Sequence, residues 1–129
     1  MSEAELGAMS PCFIVLDVVR TIAFYCDKLG FEKRFQEPDP DPFFAIVGRD
    51  RAQLFVKAER NVLPQPNCTR HPHLRLDAFV YAKDPDALAA EFSGHGVEFS
   101  APLKDTNDGL RGFEIRDPDG YILFFGRPR

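Results

Sequence analysis

The sequence predicts an α+β fold of two tandem βαβββ modules whose sheets form a cleft, and three observations predict it. One order of signals is written twice: an Asp opening an apolar helical stretch (Asp17, Asp84), a Gly-apolar-Glu stop (Gly30-Phe31-Glu32, Gly96-Val97-Glu98), then apolar runs ending in Leu54-Phe55-Val56 and Leu123-Phe124-Phe125. The offset between copies stays narrow: 67 residues for the Asp pair, 66 for the Gly pair, 69 between Phe44 and Phe113, and 69 between Asp50 and Asp119. Within each copy the apolar period changes from helical to strand-like. Such a repeat marks two copies of one structural unit and places a site at the seam between them.

Each element has a local reason. Met1 to Ser10 carries only Leu6 as pattern and reads as a loose leader. Pro11 to Leu16 is a β-branched apolar run, strand one. Asp17 can accept the unpaired N–H groups of a first helical turn, Val18, Ile22, Tyr25 and Leu29 form one helical stripe, and Gly30 stops it. Glu32 to Gln36 is strand two, and the three prolines of Glu37-Pro-Asp-Pro-Asp-Pro42 make a rigid loop. Phe43 to Val47 and Ala52 to Lys57 pair across Gly48-Arg49-Asp50-Arg51. Glu59 to Pro72 is polar, aperiodic and rich in proline, a linker.

The second copy starts near His73 and reads as a strand to Ala82. Asp84 then caps a helix with Pro85 at its first position and Leu88 and Phe92 on its buried stripe. Val97 to Ser100 is a strand and Leu103 to Gly112 a loop. Phe113 to Arg116 and Tyr121 to Gly126 form a hairpin across Asp117-Pro-Asp-Gly120, where Pro presets φ and Gly takes positive φ. The expected organisation is a single domain over 1–129, with module one at 10–57, a linker at 58–72 and module two at 73–126.

Composition narrows the function classes. Sixteen basic against twenty acidic residues give a net charge of −4, with the basic residues scattered, which speaks against nucleic acid and anionic membrane as partners. No apolar run approaches the ~20 residues of a membrane helix, and the N-terminus lacks the order of a signal peptide, so the expected location is the cytoplasm. Cys12, Cys26 and Cys68 show no paired spacing and read as reduced thiols.

The motifs Asp17-x-x-x-Thr21-x-x-Phe24-Tyr25-x-x-x-Leu29-Gly30-Phe31 and Gly109-Leu110-Arg111-Gly112-Phe113-x-x-x-Asp117-Pro118-Asp119-Gly120-Tyr121-x-Leu123 resemble the vicinal oxygen chelate superfamily, the group of glyoxalase I, bleomycin resistance proteins, fosfomycin resistance enzymes and extradiol dioxygenases. The likeness runs from Ser10 onward, and the ending is most similar to the bleomycin resistance branch. That resemblance implies a homodimer binding a small molecule in a cleft between modules. In metal-binding members a His or Gln lies seven residues before the Asp that opens each helix, and a Glu five after the Asp of the final turn. Those positions hold Ser10, Asp77, Phe55 and Phe124 here. Phenyl rings offer a divalent ion no donor, so no metal and no cofactor is expected.

The remaining candidates carry two readings each. His71-Pro72-His73 is an imidazole pair or a surface segment of the linker, and Cys12 is a cleft nucleophile or an inert thiol. Asp77 is the ion-pair partner of Arg75 or Arg111, or a cleft carboxylate awaiting a cationic ligand. Thirteen Phe residues serve mostly as core, yet Phe44, Phe55, Phe79, Phe113 and Phe124 fall on strand faces that the repeat turns toward one concavity. The expected ligand site is therefore Cys12, Phe44, Phe55, Asp77, Phe79, Arg111, Phe113 and Phe124, holding an aromatic or amphipathic molecule for sequestration, as in antibiotic resistance. The alternatives are a metal-dependent lyase, isomerase or dioxygenase of the same fold with His73 and Asp77 among its ligands, and a module whose cleft is vestigial and which contacts another protein.

Overall fold

The computed structural model describes residues 4–129; the first three residues of the predicted leader lie outside them. In chain order the elements are β1 (Cys12–Ile14), α1 (Val18–Leu29), β2 (Glu32–Glu37), β3 (Phe44–Arg49), β4 (Ala52–Lys57), α2 (Asn67–Arg70), β5 (Ala78–Tyr81), α3 (Pro85–Gly94), β6 (Phe99–Asp105), β7 (Leu110–Arg116) and β8 (Ile122–Pro128). They form two four-stranded sheets of identical topology, β1-β4-β3-β2 and β5-β8-β7-β6. In each, the first strand runs parallel to the last and the other pairs are antiparallel. This is a tandem pair of βαβββ units.

The helix signals act as their chemistry requires. Asp17 accepts the Arg20 N–H at 3.1 Å and Asp84 the Ala87 N–H at 3.0 Å, each supplying a partner to a first-turn donor. Gly30 ends α1 at φ 72°, a conformation that costs other residues a Cβ clash. α1 buries Val18, Thr21, Tyr25 and Leu29 against its own sheet, with Ile22 only half-buried. α3 buries Pro85, Ala89 and Phe92, whose ring meets Phe113 and Phe125 edge-on at 5.7 and 5.2 Å. Each such buried ring contributes about 1.5–3 kcal/mol.

The modules meet on their helix sides. Phe13 stacks on Tyr121 with centroids 4.1 Å apart, and the Tyr121 hydroxyl donates to the Ile14 carbonyl at 2.6 Å. Arg49 pairs bidentately with Glu91 at 2.7 and 3.0 Å. The helix ends meet across an approximate twofold: Lys28 Nζ donates to the His95 carbonyl and His95 Nδ1 lies against the Lys28 carbonyl, each at 3.1 Å. Those two residues are 67 apart, the offset of the capping Asp pair. The sheet faces opposite the helices stay uncovered: Phe35, Phe79 and Tyr81 are 47, 46 and 65% exposed.

Two element readings are corrected. The strand expected from His73 to Ala82 is confined to β5, because residues 67–77 instead form α2 and a return turn. The loop expected over Leu103 to Gly112 is largely a β6–β7 hairpin turning at residues 106–109. β6 is an edge strand with Pro102 and two register breaks, which erased its alternation. Among the described residues no helix is long and apolar enough to cross a membrane.

Candidate functional site

The uncovered face of the first sheet is a row of rings. In a ladder, residues paired across strands share a face, and Cys12 pairs with Phe55, Phe55 with Ile46, and Ile46 with Phe35. Phe44 sits on the same face, edge-on to Phe35 at 6.1 Å and to Phe55 at 5.7 Å. Alternate residues Ala45, Val47, Leu54 and Val56 are buried under α1. At one end the apolar row becomes polar, where Arg34 Nη1 donates to Gln53 Oε1 at 3.3 Å and Gln53 Nε2 to Ser10 Oγ at 3.4 Å.

The second sheet presents a different surface. Phe124 and Phe79 are paired residues, and their rings stack with centroids 5.5 Å apart at 20°. The tip of the Phe124 ring reaches over Gly112 and Gly126; a Cβ at either would fall 2.6 or 2.5 Å from it. Glu114, the cross-strand neighbour of Phe124, accepts from Arg75 Nη2 at 3.0 Å and Ser100 Oγ at 3.4 Å. Phe124, Gly112, Glu114, Arg75 and Ser100 line a cavity of about 560 Å³. A second cavity, of about 400 Å³, opens where α1 approaches β6, lined by Phe24, Lys28, Val97, Phe99 and Arg116.

Arg111 and Phe113 lie on the opposite face from the one expected. Arg111 reaches Asp86 of α3 at 2.8 Å and Asp105 at 3.1 Å, and Phe113 is fully buried between Phe92, Phe99 and Phe125. The physical reason is a turn one residue longer in module two. Val47 pairs with Leu54, and their counterparts Ile115 and Leu123 also pair, so the offset is 68 on the third strand and 69 on the fourth. The counterpart of Phe113 is thus Ala45, not Phe44, and a slip of one residue exchanges the faces. The surface of rings is built from Phe44, Phe55, Phe79 and Phe124, with Cys12 exposed beside Phe55.

Asp77 pairs with neither Arg75 nor Arg111. Its Oδ1 accepts the Asn67 N–H and its Oδ2 the Ile122 N–H, both at 2.8 Å, tying α2 to the start of β8. At the four positions where the resemblance implies metal ligands, Ser10 is bonded to Gln53, both Asp77 oxygens take backbone donors, and Phe55 and Phe124 present carbon. These residues do not fit a divalent ion. Among the described residues no group of three or more His, Cys, Asp or Glu side chains is placed so that it could hold a metal ion. His71 and His73 are exposed, with centroids 5.7 Å apart and the His73 N–H donating to His71 Nδ1.

A profile of the Glyoxalase/Bleomycin resistance protein/Dioxygenase superfamily matches residues 9–125. The chain belongs to that superfamily. Among solved structures of this fold, the bleomycin-binding protein of Streptomyces verticillus, complexed with copper(II)-bleomycin, is 28% identical over 100% of both chains with a TM-score of 0.70. TioX of Micromonospora sp. ML1 is 19% identical over 96% of this chain and 100% of its own, with a TM-score of 0.75. TnmS3, an antibiotic binding protein of Streptomyces sp. CB03234, is 20% identical over 99% and 100%, with a TM-score of 0.70. Among curated proteins none matches the sequence.

In this superfamily member, sequence reasoning missed Glu114, Arg75 and Ser100 as one polar group facing a ring stack. Spacing does not reveal them, because they come from three separate segments. The one available signal was the glycine pair Gly112 and Gly126, placed where strands have no other need of glycine.

Proposed function

We propose that the protein binds a flat aromatic or amphipathic small molecule, of the size of an antibiotic, and sequesters it without a metal. The cleft forms between the ring face of the first sheet of one protomer and the second-sheet face of a partner copy. The observation that carries this reading is the pair of aromatic sheet faces turned away from the helices on opposite modules, Phe35-Phe44-Phe55 and Phe79-Phe124, with Phe35 and Phe79 about half exposed and Phe124 largely buried beside Phe79. Exposed rings in a contiguous patch favour a partner surface, and a twofold pair covers both faces at once while leaving two equivalent clefts. The solved relatives named for bleomycin or antibiotic binding support the same direction. Retention of the ligand in the cytoplasm would lower its free concentration at its target.

Sedimentation and thermal shift test this together. The expected species has about twice the 14.6 kDa chain mass, and planar aromatic compounds raise the melting temperature while Zn²⁺, Ni²⁺ or Mn²⁺ leave it unchanged. A monomer at micromolar concentration that no planar compound stabilises overturns the cleft. One tightly held ion per chain by elemental analysis overturns the metal-free reading in favour of the metal-dependent enzymes of the superfamily.

A further inference from the structure

The polar contribution to the cleft is concentrated on one wall. Glu114 has a side chain only 17% exposed, and a single oxygen, Oε1, receives both the Arg75 and Ser100 donors. Oε2 has no protein hydrogen-bond partner among the described residues, although it belongs to a side chain that lines the cavity beside the Phe124 ring. Arg75 is engaged through Nη2 alone and its side chain is 42% exposed, so further guanidinium N–H groups remain for a ligand. The ring next to this pair is packed against Gly112, Gly126 and Phe79 and is only 9% exposed, so its position is fixed and its accessible part borders the cavity.

The charge balance decides what such a wall reads. The Arg75–Glu114 pair is neutral as a unit. A cation on Glu114 Oε2, or an anion on the remaining Arg75 N–H groups, would bring a net charge into a partly desolvated cavity whose ion pair is already neutral, with no counter-charge left to offset its lost hydration. A planar edge carrying an N–H donor beside a carbonyl acceptor avoids that cost. It can donate to Glu114 Oε2 and accept from Arg75 with the ion pair intact, while its ring system packs against the part of Phe124 that lines the cavity.

Resting on the cleft reading above, we infer that Glu114 and Arg75 are the specificity-determining pair of this site and select a neutral donor–acceptor edge, a carboxamide or lactam, on a flat aromatic body. Arg111 and Asp77, engaged elsewhere, have no part in it.

Calorimetry with three tricyclic probes near neutral pH tests the assignment: acridine-4-carboxamide, the cation 9-aminoacridine and the anion acridine-9-carboxylate. The carboxamide is expected to bind wild type about tenfold more tightly than either charged probe, since a site built for a hydrogen-bonding edge rejects ligands lacking it. Glu114→Ala and Arg75→Met should each remove that preference, whereas Phe124→Ala should weaken all three probes alike. Arg75→Met keeps the apolar stem of a half-exposed residue, so it reports even where Glu114→Ala unfolds the chain. Unchanged discrimination in Arg75→Met or Glu114→Ala, with Phe124→Ala still weakening every probe, overturns this inference and leaves the cleft standing. Probes that ignore Phe124→Ala, or do not bind wild type, overturn both.

Discussion

The Tyr25 hydroxyl donates a 2.8 Å hydrogen bond to Asp117 Oδ2 with both residues buried, joining helix α1 of the first module to the last turn of the second across 92 residues of sequence. Asp117 Oδ1 also accepts the N–H groups of Asp119 and Tyr121, at 2.9 and 3.0 Å, so one carboxylate organises the turn and anchors it to the other module. Beside it, Asp119 accepts from Arg20 at 3.1 Å and from the Leu16 N–H at 3.3 Å.

Stability should fall as pH rises through the acidic range because of Asp117. Burial pushes its carboxyl from 3.8 up to about 6, against the opposing effect of its three donors, and the neighbouring Asp119 adds to the rise. The folded state therefore holds the proton more tightly than the unfolded chain. Its contribution to stability is fully present below the unfolded value of 3.8 and is lost as pH rises through about 6, a change of about 3 kcal/mol. Asp117→Asn keeps acceptors for the two backbone donors and an NH₂ toward Tyr25, so melting temperature against pH should be flatter in the variant between those limits. Below that window Asp86 and Glu91, held low by their hydrogen bonds to Arg111 and Arg49, lose their pairs and stability falls in both proteins. A wild-type profile with no downward slope through the window would remove this role from Asp117.

Gly112→Ala should destabilise the protein by about 1–3 kcal/mol through overpacking. The added Cβ would stand 2.3 Å from the Phe125 carbonyl oxygen and 2.6 Å from the Phe124 ring, so either the ladder or the ring platform must shift. Denaturant unfolding measures the loss. If the substitution is neutral, the Phe124 ring is not pinned as described.

Asp77→Asn should lower stability by about 1–3 kcal/mol without changing which probes bind. Each carboxylate oxygen now serves one backbone N–H, and an amide has only one acceptor for the two donors of Asn67 and Ile122. Thermal melts give the first half of the expectation and the probe panel the second. Selective loss of cationic ligands would instead return Asp77 to the cleft.

Much of the architecture can be read from the chain alone. The internal repeat, the Asp caps at 17 and 84, the Gly30 stop and the Asp117-Pro-Asp-Gly120 turn all act within a few residues of themselves, so their chemistry determines local structure without reference to the rest of the fold. Alternation likewise placed Phe55, Phe79 and Phe124 on faces away from the helices. What only tertiary structure decided was whatever depends on register and on distant partners. One extra residue in the second hairpin turn sent Arg111 and Phe113 under α3, because strand alternation converts a shift of one position into a change of face. Asp77 found backbone donors at Asn67 and Ile122, and Glu114 found Arg75 and Ser100, since a polar side chain is claimed by whichever group the completed fold brings within hydrogen-bonding distance.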